Sequence, residues 1–120
     1  MLRYALTIGL LLLAIPAQAE TMTLAKHYTA AGKNPDGSKY SGSVDVTIIS
    51  DTTFSIVWKI AGSTYKGFGM RMNDSLAATY TLDGEPGLVI YQARPDGTLG
   101  GLWAVKGQDG SGSEVLSPGK

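Results

Sequence analysis

The feature that most constrains this chain is an alternating stretch between Thr53 and Met72. In its first half an apolar side chain stands at every second position, which is the period of a β-strand with one buried face. These apolar residues are Phe54, Ile56, Trp58 and Ile60. Residues 61–63 then supply a turn and a second β-rich run follows, so the stretch predicts a hairpin with one apolar face. Because an isolated hairpin is only marginally stable in water, the rest of the chain must cover that face.

The N-terminal residues have the composition of a secretory signal peptide. Arg3 supplies a positive charge, an apolar run extends from Ala5 to Ile15, and residues 17–19 have the small-residue spacing of a cleavage site. The apolar run is shorter than the roughly 18 to 20 residues that a membrane-spanning helix needs. We therefore predict that residues 1–19 are removed and that residues 20–120 form one exported domain, in a bacterial periplasm or outside the cell, without membrane insertion.

Composition and charge exclude several classes of partner and cofactor. Ten basic residues balance ten acidic residues, so the chain lacks the excess of positive charge that nucleic-acid binding requires. It contains one histidine and no cysteine, which leaves no adequate ligand set for a transition metal. Without disulfides, the stability of a small exported domain has to come from packing. We expect neither a metal nor a cofactor.

Turn signals divide the rest of the mature chain into short strands. Two loops carry the sequence Pro-Asp-Gly, at 35–37 and 95–97, in which proline fixes φ, aspartate bonds the local backbone and glycine accepts a positive φ. Glycines also recur inside three strands, as Gly42, Gly67 and Gly101, and favour the coiling that closes a sheet. About eight strands without helical periodicity predict an all-β fold, a small antiparallel up-and-down barrel, with a β-sandwich as the alternative.

The same pattern predicts local features of individual strands. The first strand is expected to cover residues 21–30, and the last residues, from Ser117 onward, are expected to fray. In the fourth strand the apolar residues change parity near Gly67, which predicts a bulge that switches faces there. These features decide which side chains would point into the barrel.

The interior of an eight-stranded barrel is either filled by its own side chains or left open for one small molecule. The apolar side chains of the predicted strands are numerous enough to fill a barrel of this size, so a mostly filled core is expected. Trp58, Tyr65 and Tyr80 support the open interior as an alternative, because the polar atoms of buried aromatic side chains need hydrogen-bond partners. These three residues are the candidate ligand-binding residues.

The sixth and seventh predicted strands are apolar on both faces. Their outward side chains would form a continuous apolar stripe, for which Val89, Tyr91 and Leu102 are the candidates. A stripe of this kind marks an interface with another protein or with a second copy of the chain, unless the N-terminal segment or a loop covers it. The sequence leaves both alternatives open.

The sequence contains no arrangement of residues typical of an active site. A catalytic histidine needs a nucleophile and an orienting acid, and no Gly-x-Ser-x-Gly turn accompanies His27. Most aspartates lie in predicted turns, where their turn-forming chemistry explains them. We therefore expect a protein that is not an enzyme, and a hydrolase that uses His27 is kept only as a hypothesis to be tested.

Several turn and strand motifs together resemble a known family. They are Asn34-Pro35-Asp36-Gly37, Tyr40-x-Gly42, Val57-Trp58-Lys59-Ile60, Tyr65-x-Gly67-x-Gly69, Asp96-Gly97-x-Leu99-x-Gly101-x-Trp103 and Gly112-x-Glu114-x-Leu116. In this order they resemble a family of small exported alphaproteobacterial proteins, mostly uncharacterised, some of which are labelled fibronectin-binding proteins. The eight-strand pattern is also distantly similar to the avidin and lipocalin barrels. These resemblances imply a β-barrel fold and no specific binding residue.

The sequence thus predicts an exported, non-enzymatic binding protein. A protein partner is favoured, bound through the outer face or the loops, and the family label suggests an extracellular-matrix protein of the fibronectin type. The alternative is a carrier that holds a small apolar ligand inside an avidin-like or lipocalin-like barrel. An open apolar cavity would favour the carrier, whereas a filled barrel with an exposed stripe would favour the protein partner.

Overall fold

The computed structural model describes residues 21–119, which form one closed barrel of eight antiparallel strands. Each strand pairs with its neighbours along the chain and β8 pairs with β1, so the sheet has no free edge. The strands are β1 (His27–Lys33), β2 (Lys39–Ile48), β3 (Thr53–Ile60), β4 (Ser63–Met72), β5 (Ser75–Leu82), β6 (Glu85–Ala93), β7 (Leu99–Val105) and β8 (Gly112–Pro118). The predicted up-and-down barrel is confirmed, and the β-sandwich alternative is wrong.

The predicted signal peptide lies outside the described residues. Among residues 21–119 no helix is long and apolar enough to cross a membrane.

Tight turns with left-handed backbone conformations connect several strands. The β3–β4 turn is Ala61-Gly62, with φ of 52° and 81°, and the β5–β6 turn is Asp83-Gly84, with φ of 51° and 82°. Positive φ at both positions gives the two-residue hairpin turn whose twist matches that of the flanking strands. In each Pro-Asp-Gly loop the aspartate accepts a hydrogen bond from the amide two residues later, at 2.8 Å from Ser38 and 2.9 Å from Thr98. These connections fix the register of neighbouring strands.

One half of the barrel interior is filled with apolar side chains. This half lies toward the β2–β3, β4–β5 and β6–β7 connections, where every second residue of each strand points inward. Its buried side chains include Tyr28, Val44, Val46, Phe54, Ile56, Leu76, Leu99 and Leu116. They form one continuous core cluster.

Residues 21–26, here called the N-terminal cover, close the end of this filled half. Met22 and Leu24 are partly buried against the core. The guanidinium of Arg71 donates to the Met22 carbonyl, and the Met22 amide donates to Asp74 Oδ1 at 2.8 Å. The prediction of a strand over these residues is wrong, because residues 21–25 cover apolar side chains at the end of the barrel, and only Lys26 bonds to a neighbouring strand, through its carbonyl and the Val46 amide.

The C-terminal tail pairs with the first strand. Ser117 and Pro118 belong to β8 and lie in register with β1. The Gly119 amide donates to the His27 carbonyl at 2.8 Å. The expectation of fraying is therefore wrong for residues 117–119, because β1 needs this second neighbour to close the barrel.

Strand β6 faces the opposite way from the sequence prediction. Val89 and Tyr91 point into the barrel and are 4% and 1% exposed, so their prediction as an outward stripe is wrong. The outward residues are Leu88 and Ile90, which are 63% and 60% exposed, and Leu102 of β7 lies outside opposite Ile90. Both sets of alternate residues in β6 are apolar, so the sequence pattern did not show which set points into the barrel. Tyr91 lies inside because its hydroxyl has buried hydrogen-bond partners there.

Strand β4 keeps one parity throughout, and the predicted switch of faces at Gly67 is wrong. Its register with β3 continues from Met70 opposite Thr53 to Ser63 opposite Ile60. As a result the large apolar residues of β4 lie outside the barrel, and strand β5 separates them from those of β6 and β7. The exposed set, called the outer apolar patch below, consists of Phe68, Met70, Leu88, Ile90 and Leu102.

The inward-facing glycines are explained by the rings that lie over them. A glycine stands directly opposite a large ring on the neighbouring strand in five register pairs, and a Cβ atom on any of these glycines would overlap the ring. The pairs are Gly32 with Tyr40, Gly69 with Phe54, Gly87 with Tyr80, Gly101 with Tyr91, and Gly112 with Trp103. A ring that lies across a glycine compensates for its missing side chain.

A methyl group added at an interior glycine should destabilise the barrel. In Gly101→Ala the new Cβ would lie 2.6 Å from the Ile90 carbonyl oxygen, a backbone atom that cannot easily move. We expect the free energy of unfolding to fall by about 2 kcal/mol, which is typical of overpacking a core. In the control Gly100→Ala the new atom meets the Arg94 guanidinium at the end of a flexible side chain, so stability should change by less than about 0.5 kcal/mol. Urea denaturation measures both changes, and equal losses would contradict the steric role of Gly101.

Candidate ligand-binding site

The half of the barrel opposite the N-terminal cover contains an open cavity of about 270 Å³. Six aromatic side chains line it: Tyr40, Trp58, Tyr65, Tyr80, Tyr91 and Trp103. The volume lies just below the usual range for pockets that hold drug-sized molecules, so the cavity fits a small ligand. The expectation of a mostly filled core is therefore correct for one half of the interior and wrong for this half.

The three ligand-binding residues predicted from the sequence lie together on the cavity wall. Trp58 comes from β3, Tyr65 from β4 and Tyr80 from β5. The ring centroids of Trp58 and Tyr80 are 5.3 Å apart with the planes tilted by 59°, a favourable arrangement of aromatic rings. Trp58 can reach Tyr80 because it lies over Gly67 of β4, where a Cβ atom would be 2.8 Å from its Cζ3.

A second aromatic pair, which was not among the predicted site residues, forms another part of the wall. Tyr40 of β2 lies over Gly32 of β1, and Trp103 of β7 lies over Gly112 of β8. Because both rings lean across the strands that close the barrel, their centroids come within 6.3 Å, with 64° between the planes. In the sequence, the feature that could identify Tyr40 and Trp103 as site residues is the glycine opposite each ring. Which glycine lies opposite which ring is known only once the strand register is known.

Glu114 is buried beside the cavity, with only 3% of its surface exposed. The Tyr40 hydroxyl donates to Glu114 Oε1 at 2.8 Å, and the Tyr91 hydroxyl donates to Oε2. The indole Nε1 of Trp58 donates in turn to the Tyr91 hydroxyl at 3.0 Å. The two tyrosine hydroxyls donate to the carboxylate, which accepts at both oxygens, so the arrangement fits an ionised Glu114.

Burial and this carboxylate keep the surrounding phenols protonated. Desolvation, and then the negative charge of Glu114, raise the pKa of Tyr91 and Tyr40 far above the ordinary value of 10.0. The same two causes raise the pKa of Tyr80 to about 12. The three hydroxyls are therefore neutral hydrogen-bond donors at neutral pH.

No cationic side chain neutralises Glu114 within the part of the chain that the structure describes. The ion pairs there involve Asp45 and Asp74 and lie elsewhere. Of the described residues 21–119, those that line the cavity include no lysine, arginine or histidine. The Trp103 Nε1 is also buried beside the cavity, without a hydrogen-bond partner among residues 21–119. The cavity thus combines aromatic walls, the negative charge of Glu114 and the Trp103 Nε1, a hydrogen-bond donor that has no partner among residues 21–119.

His27, the only histidine of the chain, lies on the outer wall of the barrel. Its Nδ1 is 2.6 Å from Asp45 Oδ1, and both side chains are exposed. Among residues 21–119 no three histidine or acidic side chains are grouped as they would be to hold a metal ion. His27 and the cavity are separate features, and the hydrolase hypothesis gains no support from this geometry.

A second recess, of about 330 Å³, lies at the opposite end of the barrel, between the N-terminal cover and the β2–β3 connection. Its cationic group, Arg71, already donates to the carbonyls of Met22 and Asn73. Among the described residues that line it, Phe54 supplies the single aromatic ring. The open end is therefore the better candidate site, because there several rings and polar groups converge on one space.

Comparisons with known proteins identify the fold but no family. No family model matches the chain, and no curated protein matches it. Among solved structures the chain is similar to a de novo designed fluorescence-activating β-barrel, with a TM-score of 0.60 and 20% identity over 80% of this chain and 94% of that one. It is also similar to a mutant of the fluorescent protein UnaG, with a TM-score of 0.54 and 7% identity over 80% of this chain and 96% of that one. At these identities the likeness shows a shared barrel fold.

Removal of the central hydroxyl in the hydrogen-bond chain should destabilise the protein. Tyr91→Phe leaves Trp58 Nε1 without its acceptor and Glu114 Oε2 without its donor. We expect the free energy of unfolding to fall by about 2 to 3 kcal/mol. Tyr80→Phe is the control, because that hydroxyl makes only a long 3.5 Å contact with the Ala104 carbonyl, and it should cost less than about 0.5 kcal/mol. Urea denaturation distinguishes the two variants, and similar costs would contradict the role of Tyr91.

Alkaline pH should destabilise the protein through the buried tyrosines. Because their pKa values in the folded state lie above the ordinary 10.0, the folded protein keeps protons that the unfolded chain loses. The contribution of these tyrosines to the free energy of unfolding is thus constant below pH 10.0. Above pH 10.0 the free energy of unfolding falls by up to about 1.4 kcal/mol per pH unit for each tyrosine. The free energy of unfolding, measured from about pH 8 to about pH 12, should be level and then decline. Tyr91→Phe should make the decline shallower, and an unchanged slope would contradict this assignment.

Proposed function

We propose that this protein is a carrier of a small apolar ligand, which binds inside the open half of the barrel against Trp58, Tyr65 and Tyr80. The observation that carries the proposal is the cavity itself, a space surrounded by aromatic side chains and open at one end. Apolar walls with a few placed polar groups are the usual composition of small-molecule sites. The buried hydroxyls and indole groups would orient the ligand.

The unequal filling of the two halves supports a binding role. The far half is closely packed and closed by the N-terminal cover. If the interior served stability alone, side chains that filled the other half would add to stability, because each buried apolar group contributes. Instead the rings lie across neighbouring strands and leave a cavity of about 270 Å³.

The similar solved structures support the proposal through their fold. The designed barrel is described as fluorescence-activating, and UnaG is described as a fluorescent protein. A barrel of about eight strands has an interior of the size that holds one small ligand.

The protein-partner hypothesis stays a prediction. Its surface would be the outer apolar patch, since Val89 and Tyr91 line the cavity instead. A homodimer and a fibronectin-type partner are specific forms of this hypothesis. Export and the absence of enzymatic activity also stay predictions. The carrier function is preferred because the cavity is a bounded site with a distinctive chemistry, whereas the patch does not identify what would cover it.

A neutral fluorescent probe tests the carrier proposal. N-phenyl-1-naphthylamine becomes more fluorescent in apolar surroundings, and it should bind the purified protein in the micromolar range at one site per chain. Val89→Phe places a larger side chain in the cavity and should weaken binding about tenfold. Leu88→Phe is the matched control, because it enlarges the adjacent outward residue and should leave the affinity unchanged.

The opposite pattern would contradict the proposal. Binding that is weakened by Leu88→Phe and not by Val89→Phe would place the probe on the outer apolar patch. Native mass spectrometry of the protein purified from a bacterial periplasm provides a second readout. A copurified small molecule that is released on denaturation supports a carrier, and the absence of both an adduct and probe binding would exclude it.

A further inference from the structure

The charge of the cavity restricts the ligand further than its apolar walls do. We propose that the ligand is an organic cation, with an apolar and preferably aromatic body in the ring-lined space and a positively charged nitrogen group against Glu114. The inference rests on the proposed carrier function and adds the chemical class of the ligand. Its basis is that a buried carboxylate, which has no counter-ion among residues 21–119, and several aromatic side chains border one cavity.

The first argument is the missing counter-ion. Ionised side chains are rarely buried without a charged partner, because the loss of hydration is costly. Glu114 receives two phenol hydrogen bonds but forms no ion pair within residues 21–119. A ligand that brings a positive charge into the cavity would supply that partner. The attraction would be stronger than at the protein surface, because the surroundings of the carboxylate are poor in water.

The second argument is the acceptor capacity that Glu114 retains. An ionised carboxylate offers about four lone-pair positions. The hydroxyls of Tyr40 and Tyr91 use one position on each oxygen. The remaining positions can accept N–H groups from an ammonium or amidinium ion, and Glu114 borders the cavity directly.

The third argument comes from the rings. The faces of tryptophan and tyrosine rings carry negative potential and attract cations, most strongly where water is excluded. Two ring pairs, Trp58 with Tyr80 and Tyr40 with Trp103, present such rings from two parts of the wall. An anionic ligand such as a fatty acid would instead meet the negative charge of Glu114, and among residues 21–119 the cavity lining offers no cationic side chain to bind it.

Two probes of the same shape and different charge test the inference. Benzyltrimethylammonium is a cation, and neopentylbenzene is its neutral counterpart with carbon in place of nitrogen. Trp58 and Trp103 are the only tryptophans of the chain and both line the cavity, so the intrinsic fluorescence of the protein reports the binding of either probe. We expect the cation to bind at least as tightly as the neutral probe, although the cation is far more strongly hydrated. Tighter binding of the neutral probe would overturn the inference.

A variant that lacks the Glu114 charge tests whether this residue causes the preference for the cation. Glu114→Gln keeps the shape of the side chain, and we expect the ratio of the two dissociation constants, neutral probe over cation, to fall at least tenfold. Glu85→Gln is the matched control, because it removes the same charge from an exposed position on β6 and should leave the ratio unchanged. An unchanged ratio in Glu114→Gln, or an equal fall in Glu85→Gln, would contradict the role of Glu114. If circular dichroism shows that Glu114→Gln does not fold, the comparison of the two probes on the unmodified protein decides alone.

Failure of this inference can be distinguished from failure of the carrier proposal. If N-phenyl-1-naphthylamine binds in the cavity and neopentylbenzene binds more tightly than the cation, the carrier function stands and the cationic ligand is wrong. If none of the three probes binds, both proposals fail.

Discussion

The architecture of this barrel depends on a steric arrangement in which a large ring on one strand lies over a glycine on the next. Without a Cβ atom on Gly32, Gly87 or Gly112, the ring opposite can extend across the neighbouring strand. Around the open half, the aromatic side chains therefore form a wall and leave the cavity between them. In the other half, branched and long aliphatic side chains such as Ile56 and Leu116 fill the interior. The same sheet thus provides a close-packed core and a hollow site.

The polar network depends on that wall. Tyr40 and Tyr91 donate to the same carboxylate from different strands, and Trp58 extends the network through Tyr91. A buried polar network rigidifies its surroundings when its members are satisfied and destabilises the fold when they are not. Glu114 consequently fixes the directions of two phenol hydroxyls, and it places a negative charge where the stability of the barrel alone would not require one. The fold and the site share these residues.

The fold could be predicted because turn residues act locally. The composition of the cavity could not be predicted in full, because it depends on pairing between strands that are distant in the sequence. Turn residues act within a few positions, so the up-and-down barrel and the approximate bounds of β2 to β7 could be predicted from the sequence, whereas the start of β1 and the end of β8 could not. Trp58, Tyr65 and Tyr80 could be found because they are polar aromatic residues on predicted strands. Glu114 could not, because its partner Tyr40 is 74 residues away in the chain. The orientation of β6 was predicted wrongly because Val89 and Leu88 are equally apolar, and only the buried hydroxyl of Tyr91 decides between the faces.

The connections around the mouth of the cavity differ in length. On one side the strands are joined by the two-residue turns Ala61-Gly62 and Asp83-Gly84, whose left-handed conformations leave no room for insertions. On the other side residues 34–38 and 106–111 form longer loops, which tolerate changes in length and sequence. Ligand preference can therefore diversify through these two loops during evolution, while the aromatic wall and the tight turns preserve the framework that carries them.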